Sequence, residues 1–194
     1  VDRRQRQMCI RDRCYTAIDL DSAKTSLMKW FPYNKGGIYR KWYGNQEYVV
    51  NWENDGKEMK DFTSTLTQGM NVRLKSREYY FKECYSWSKI SSGSIAFRFY
   101  PTGFAFDVAG CCVFNAGNNF YYFLGLSNSI ITAKLAEVLS PTMNYELDHL
   151  KKIPIIITDK KEYIDNIVKE CIDLSKADWD SFETSWDFEE HPLV

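Results

Sequence analysis

The run Gly125-Leu126-Ser127-Asn128-Ser129 starts as a nucleophile elbow does, but serine stands where the closing glycine of that turn is required. It also lies in a stretch of helical periodicity, so Ser127 reads as structural. Asp178 and Asp180 have the chemistry for acid–base work, yet they stand in a solvated acidic run and read as surface. Six cysteines (Cys9, Cys14, Cys84, Cys111, Cys112 and Cys171) form no Cys-x-x-Cys spacing, and His149 and His191 are the only histidines. That inventory argues against a zinc site and for free thiols in a reducing, cytoplasmic setting. Neither a phosphate loop nor a Gly-x-Gly-x-x-Gly turn is present. The signature of amino-group methyl transfer, Asp or Asn before Pro-Pro and an aromatic, is absent too. The nearest stretches, Phe31-Pro32-Tyr33-Asn34 and Ser140-Pro141-Thr142-Met143, have one proline each. The catalytic residue set is therefore empty, and binding is the chemistry left to explain.

A chain of 194 residues, 44% apolar and 26% charged, can bury one sizeable core. Aromatics reach 16%, which suits either a Tyr-rich β core or a binding surface rich in rings. The net charge of −1 hides a division. Residues 14–133 carry 13 Lys/Arg and 10 Asp/Glu, whereas 134–194 carry 7 against 14. A mildly basic body with an acidic tail suits a polyanion-binding face. No apolar run reaches membrane-spanning length, and no signal peptide is evident. The run Gln5–Arg13 (QRQMCIRDR) resembles translated sequencing-adapter read-through, so residues 1–13 are read as an artefact without evolved structure.

The elements that must carry any site follow from periodicity. Residues 37–42 and 46–52 read as strands joined at Gly44-Asn45 in a hairpin. Glu53–Phe62 reads as a short helix, and 63–76 as a loop. Tyr79–Phe81, Tyr85–Trp87, Ser94–Tyr100 and Phe104–Val108 read as strands. From Asn119 the apolar spacing turns helical, with two helices divided near Ser127-Asn128 and stopped before Pro141. Pro154 makes Ile153–Ile157 an edge strand or extended segment. Asp159 with Glu162 predicts a capping box, opening a helix with the stripe Tyr163, Ile164, Ile167, Val168, Cys171 and Ile172. The fold class is α+β, a twisted and mostly antiparallel sheet followed by packed helices. Trp42, Trp52 and Trp87 are expected in the core.

Ordered motifs then carry a resemblance. Lys29-Trp30-Phe31-Pro32-Tyr33-Asn34-Lys35-Gly36-Gly37 is followed by Tyr39-Arg40-Lys41-Trp42-Tyr43-Gly44 and by Val49-Val50-Asn51-Trp52. Trp87-Ser88-Lys89-Ile90-Ser91-Ser92-Gly93, Leu124-Gly125-Leu126-Ser127-Asn128-Ser129 and Pro141-Thr142-Met143-Asn144-Tyr145 come next. Asp178-Trp179-Asp180-Ser181-Phe182-Glu183-Thr184-Ser185-Trp186 closes the series. In this order they resemble the target-recognition region of the adenine-specific DNA methyltransferases of BREX phage defence, the phage-growth-limitation X family. They are more loosely similar to the specificity subunits of type I restriction enzymes. Cys111-Cys112 departs from that pattern, where small polar residues are usual.

The resemblance implies a target-recognition-type domain over 14–158, with a helix and acidic tail over 159–194. It implies double-stranded DNA as partner, alongside a catalytic domain outside this chain and other phage-defence proteins. S-adenosylmethionine belongs to that catalytic domain, and no residue here is assigned to it. The DNA contacts it suggests are Arg40, Lys41, Arg73, Lys75, Arg77, Lys82, Lys89 and Arg98, with Ser91 and Ser92 as short hydrogen bonders. Arg and Lys pair with phosphates and reach guanine O6 and N7. Lys75 and Arg77 lead the set, because specificity can vary on an aperiodic loop without disturbing a core. Arg98, alternating with Phe97 and Phe99, is expected to face solvent, and Trp179 and Trp186 to anchor the tail on another domain. A stand-alone DNA-binding specificity subunit and a non-nucleic-acid interaction domain are the rival readings. Deleting residues 1–13 is expected to move the thermal midpoint by no more than about two degrees; a larger drop in a melting experiment would contradict the artefact reading.

Overall fold

A computed structural model describes residues 16–65, 74–91, 93–114, 116–140 and 142–193. Its strands are β1 (Trp30–Asn34), β2 (Tyr48–Asn51), β3 (Cys84–Ser88), β4 (Phe97–Tyr100), β5 (Ala105–Phe106) and β6 (Gly110–Val113). Its helices are α1 (Leu20–Thr25), α2 (Glu53–Ser64), α3 (Phe120–Ser127), α4 (Ile130–Leu139), α5 (Leu147–Leu150) and α6 (Lys161–Asp180). The chain divides into two units that each draw on separate stretches of sequence. The first comprises Val1–Asn34, Gln46–Glu83 and Pro101–Asp107; the second comprises Lys35–Asn45, Cys84–Tyr100 and Val108–Val194.

In the first unit β1 is the middle strand, antiparallel to β2 and parallel to β5. The β5 partner begins only opposite Tyr33, so Pro32, which has no N–H to give, sits where β2 alone flanks the strand. Phe31, Trp52, Tyr80, Phe81 and Ala105 make the core, with the Phe31 and Phe81 rings 5.1 Å apart. Burying a ring of this kind contributes roughly 2–3 kcal/mol. Asp19 and Ser22 close a capping box on α1, each side chain accepting from the other's backbone N–H. The first turn of α2 is left-handed at Asn54, Asp55 and Gly56, three residue types that tolerate this conformation.

In the second unit β3 lies between β4 and β6, antiparallel to both. Every residue of β3 is buried. Phe120 opens α3 against this sheet, its ring 5.5 Å from Tyr85 and 6.0 Å from Phe99. The opposite face of α3 meets α6 at Gly125, where an added Cβ would lie 2.8 Å from the Val168 Cγ2. Asn128, just past α3, is the junction between helix and sheet. Its Oδ1 accepts from the Phe97 N–H at 3.0 Å, and its Nδ2 donates to the Phe97 carbonyl at 2.9 Å. Residues 35–45 run beside β4 without forming a strand, paired to it through Trp42 alone. The Trp42 N–H donates to the Phe97 carbonyl and the Phe99 N–H to the Trp42 carbonyl.

The architecture is α+β with mostly antiparallel pairing, as expected, but the strands form two three-stranded sheets rather than one. The 37–42/46–52 hairpin does not form. Gly44 and Asn45 both have positive φ, but β2 pairs with β1 instead. Tyr79 closes a 3-10 turn, Arg77–Tyr79, rather than opening a strand. Residues 153–157 form no strand. The helix break at 127–129 and the stop before 141 stand as read. Helix α6 starts at Lys161 without a side-chain cap, so the Asp159–Glu162 capping box is absent. The departure at Cys111-Cys112 is β6, paired with Trp87 and Ser86. Replacing Asn128 by Ala would leave the buried Phe97 N–H without its partner. A loss of about 1–3 kcal/mol is expected, seen in thermal or denaturant unfolding; unchanged unfolding would remove Asn128 from this role.

Candidate functional site

On the first unit, Lys75, Arg77 and Lys82 fall on one short stretch. Ser76 takes a left-handed backbone (φ 54°) that turns the chain into the 3-10 helix Arg77–Tyr79. Lys75 is exposed, and Arg77 and Lys82 are half-buried. Lys82 places its Nζ 5.5 Å over the Tyr79 ring. Among the described residues Lys75 makes no ion pair. Next to this stretch, the Tyr33 hydroxyl donates to Asp107, and burial together with that carboxylate pushes the phenol well above its usual value. Burial also pushes Tyr80 up to about 12, against the pull of Arg77 and with Asp107 adding to the rise. Tyr80 is a core residue of this unit and the Tyr33 hydroxyl is given to Asp107, so both phenols serve the structure beneath the stretch. Arg73 and Ser92 lie outside the described residues.

On the second unit, the remaining basic candidates have partners within the unit. Arg40 Nε donates to the Tyr43 carbonyl at 3.0 Å, its Nη2 pairs with Asp178, and the guanidinium lies 5.1 Å over the Trp179 ring. Lys41 Nζ donates to the Asn128 carbonyl at 2.7 Å, at the negative end of α3. Lys89 Nζ is 3.0 Å from Glu146, whose hydrogen bond and charge hold the ammonium above the usual lysine value. Arg98 does not face solvent: it is 1% exposed. The Gly36–Arg40 segment covers that face of β4. Arg98 Nη2 donates to Ser88 Oγ at 2.9 Å, and its Nη1 makes long contacts to the Ile38 and Arg40 carbonyls. Among the described residues no carboxylate is within ion-pair distance of Arg98.

Ser91 sits where two distant segments close on each other. Ile90 bridges Asn144, the Ser91 N–H donates to the Met143 carbonyl, and the Trp87 indole donates to the Tyr145 carbonyl. Together they wall an open depression of about 410 Å³ bearing the side chains of Ser91, Ser94, Ser140, Thr142 and Tyr145, with Glu137 at its side. Four of these hydroxyls already serve the wall: Ser140 and Tyr145 donate to the Asn144 and Gly93 carbonyls, and Ser91 and Thr142 accept from the Gly93 and Asn144 N–H groups. An apolar cavity of about 360 Å³ among Tyr85, Trp87, Phe97 and Phe123 has Lys151 as its one charged side chain and offers no anion site. Trp179 is buried in this unit's own core, not on another body. It extends the α6 stripe of Val168 and Ile172, a spacing that the surrounding acidic residues obscured. Trp42 is partly buried, and Trp52 and Trp87 are core residues.

The four described cysteines are free thiols, and no group of His, Cys, Asp and Glu that could hold a metal occurs among the described residues. Nor does any helix among them have the length and apolarity to cross a membrane.

The chain matches no family model. It is homologous over most of its length to a segment of adenine-specific methyltransferases, in keeping with the resemblance of its ordered motifs. It is 37% identical over 169 residues to the adenine-specific methyltransferase BrxX of Escherichia coli O9:H4 (strain HS). It is 36% identical over 180 residues to the adenine-specific methyltransferase PglX of Lacticaseibacillus casei (strain Zhang). These alignments take in 86% and 92% of this chain but span only 13% and 15% of those relatives.

Arg40 tests how the internally partnered cations are used. Arg40→Lys keeps the charge opposite Asp178 but loses the Nε bond to Tyr43 and the guanidinium over the Trp179 ring. A loss of about 1–2 kcal/mol is expected in chemical denaturation. An arginine whose contacts carried no structural weight would leave the midpoint unmoved.

Proposed function

We propose that this chain is a DNA target-recognition segment of an adenine-specific DNA methyltransferase, of the kind used in BREX phage defence. One observation carries the reading: nearly the whole chain is homologous to a segment of adenine-specific methyltransferases, while its sequence has no Pro-Pro-aromatic motif. A methyltransferase acting on adenine in duplex DNA must hold the duplex and extrude the base, so binding segments are needed beside the catalytic one. S-adenosylmethionine is the methyl donor implied for the complete enzymes, and it supplies the transferred group from outside this segment. The partners in this reading are double-stranded DNA, the catalytic part of the enzyme and other proteins of the defence system.

Lys75, Arg77 and Lys82 are the proposed phosphate or base contacts on the first unit, with Arg73 in the same stretch of sequence. Ser91, with Ser92 beside it in sequence, supplies hydroxyls on the second. Arg40, Lys41, Lys89 and Arg98 act by holding the loops rather than by reaching for phosphate.

Duplex binding at graded salt tests the reading. The chain is expected to bind weakly and steeply with salt, and to transfer no labelled methyl group by itself. Each phosphate-contacting cation adds roughly 0.9 to the slope of log K against log salt. Lys75→Ala with Arg77→Ala is therefore expected to flatten it by about 1.8 if both touch phosphate. If they read bases instead, the slope holds and discrimination falls by roughly 1–3 kcal/mol per lost bidentate contact. Wild-type affinity, slope and discrimination in the double variant would remove this stretch from the recognition surface.

A further inference from the structure

The loop Lys35–Asn45 of the second unit combines three properties. First, its tip is apolar and exposed: Ile38 is 77% and Tyr39 54% accessible. Second, the backbone beneath the tip is pinned. The Ile38 carbonyl accepts from Asn45 Nδ2 at 2.9 Å and is approached by Arg98. Gly37 exchanges a pair of hydrogen bonds with Ser88 Oγ, at 3.0 and 2.8 Å. Gly36 has φ 75°, and a Cβ there would lie 2.8 Å from the Ala109 carbonyl oxygen, so the approach is set by glycine. Trp42 holds φ 70°, which a bulky residue keeps only when its surroundings over-determine it. Third, the charge under the loop is positive. Lys41 and Arg98 are held by carbonyls and a hydroxyl, and among the described residues neither meets a carboxylate. Arg40 alone of this group has its charge met, by Asp178.

A rigid loop that exposes an aliphatic and an aromatic side chain, with Lys41 and Arg98 beneath it held by neutral groups rather than carboxylates, fits a ligand with anionic flanks and a stacked apolar interior. Duplex DNA is that ligand. We propose that Ile38 and Tyr39 form a wedge that enters the base stack, Ile38 parting a base step and Tyr39 stacking on the base displaced. This rests on the DNA-recognition reading above and names the residues by which the segment would help to unstack a base. Aliphatic side chains part base steps in this way, and aromatic rings hold unstacked bases with little regard for sequence. Arg98 is a positioning residue here: it holds Ser88 Oγ, which in turn holds Gly37 at the base of the tip, and it does not touch DNA.

The test uses the chain with a duplex carrying 2-aminopurine at pyrimidine–purine steps, which unstack most easily. Anisotropy of a separate label reads binding, and 2-aminopurine fluorescence reads unstacking. At low salt the wild type is expected to raise both signals. Ile38→Ala with Tyr39→Ala is expected to remove most of the fluorescence rise at saturating protein, while Ile38→Leu keeps it. Both side chains are exposed, so thermal midpoints are expected to stay within about 1–2 degrees of wild type. An undiminished rise in the double variant overturns the wedge, as does binding without unstacking by the wild type; either leaves DNA recognition standing. No binding at all removes DNA recognition and the wedge together. Self-association of the chain that the double variant abolishes assigns the tip to a protein interface and likewise overturns the proposal.

Discussion

The outward edge of β4 is the constraint on which the second unit depends. The Phe97 N–H, Phe97 carbonyl and Phe99 N–H point away from β3, with Phe97 buried and Phe99 partly so, and an unmade hydrogen bond in the interior costs roughly 1–3 kcal/mol. Among the described residues no further strand covers them. Asn128 takes the Phe97 N–H and shares its carbonyl with Trp42, and the Trp42 carbonyl takes the Phe99 N–H. One side chain thus ties the end of α3 to the sheet, and one residue ties the 35–45 loop to it. Lys41 then caps the same helix end from that loop, which links helix, loop and strand in a closed set of bonds.

That closure explains how the unit uses its cations. Positive charge near a sheet edge reads from sequence as a surface for anions, but Arg40, Lys41, Lys89 and Arg98 all find internal partners. Arg98 is the costly member, since a buried guanidinium without a carboxylate loses hydration that carbonyls only partly restore. Its geometry returns a fixed loop. On the first unit Lys75 is exposed, with Arg77 and Lys82 half-buried on the same turn. The two units therefore offer different surfaces, one cationic at a turn and one of hydroxyls and apolar tips.

Much of the fold was legible where a single local pattern decides. The α3/α4 break at Ser127–Ser129, the strand over Tyr85–Trp87 and the Ile164, Val168 and Ile172 part of the α6 stripe follow from apolar period, whereas Tyr163 and Ile167 of that stripe are exposed. The stripe even continues to Trp179, although the acidic residues around it suggested a tail docked elsewhere. Strand pairing was not legible, because Gly44-Asn45 carries the left-handed conformations of a hairpin whether or not the flanking segments pair. Neither was the use of each cation, since a carbonyl that will receive a lysine leaves no trace in the sequence around that lysine.

The sequence by itself determined the kinship, the α+β class and the lack of a methyl-transfer motif, because these reside in residue order and local periodicity. Tertiary structure alone decided that the strands form two sheets, that Arg98 is interior and that Ile38 and Tyr39 are not. The reason is physical: hydrogen-bond partners such as Phe97 and Asn128, 31 residues apart, are chosen by what else in the folded chain needs covering.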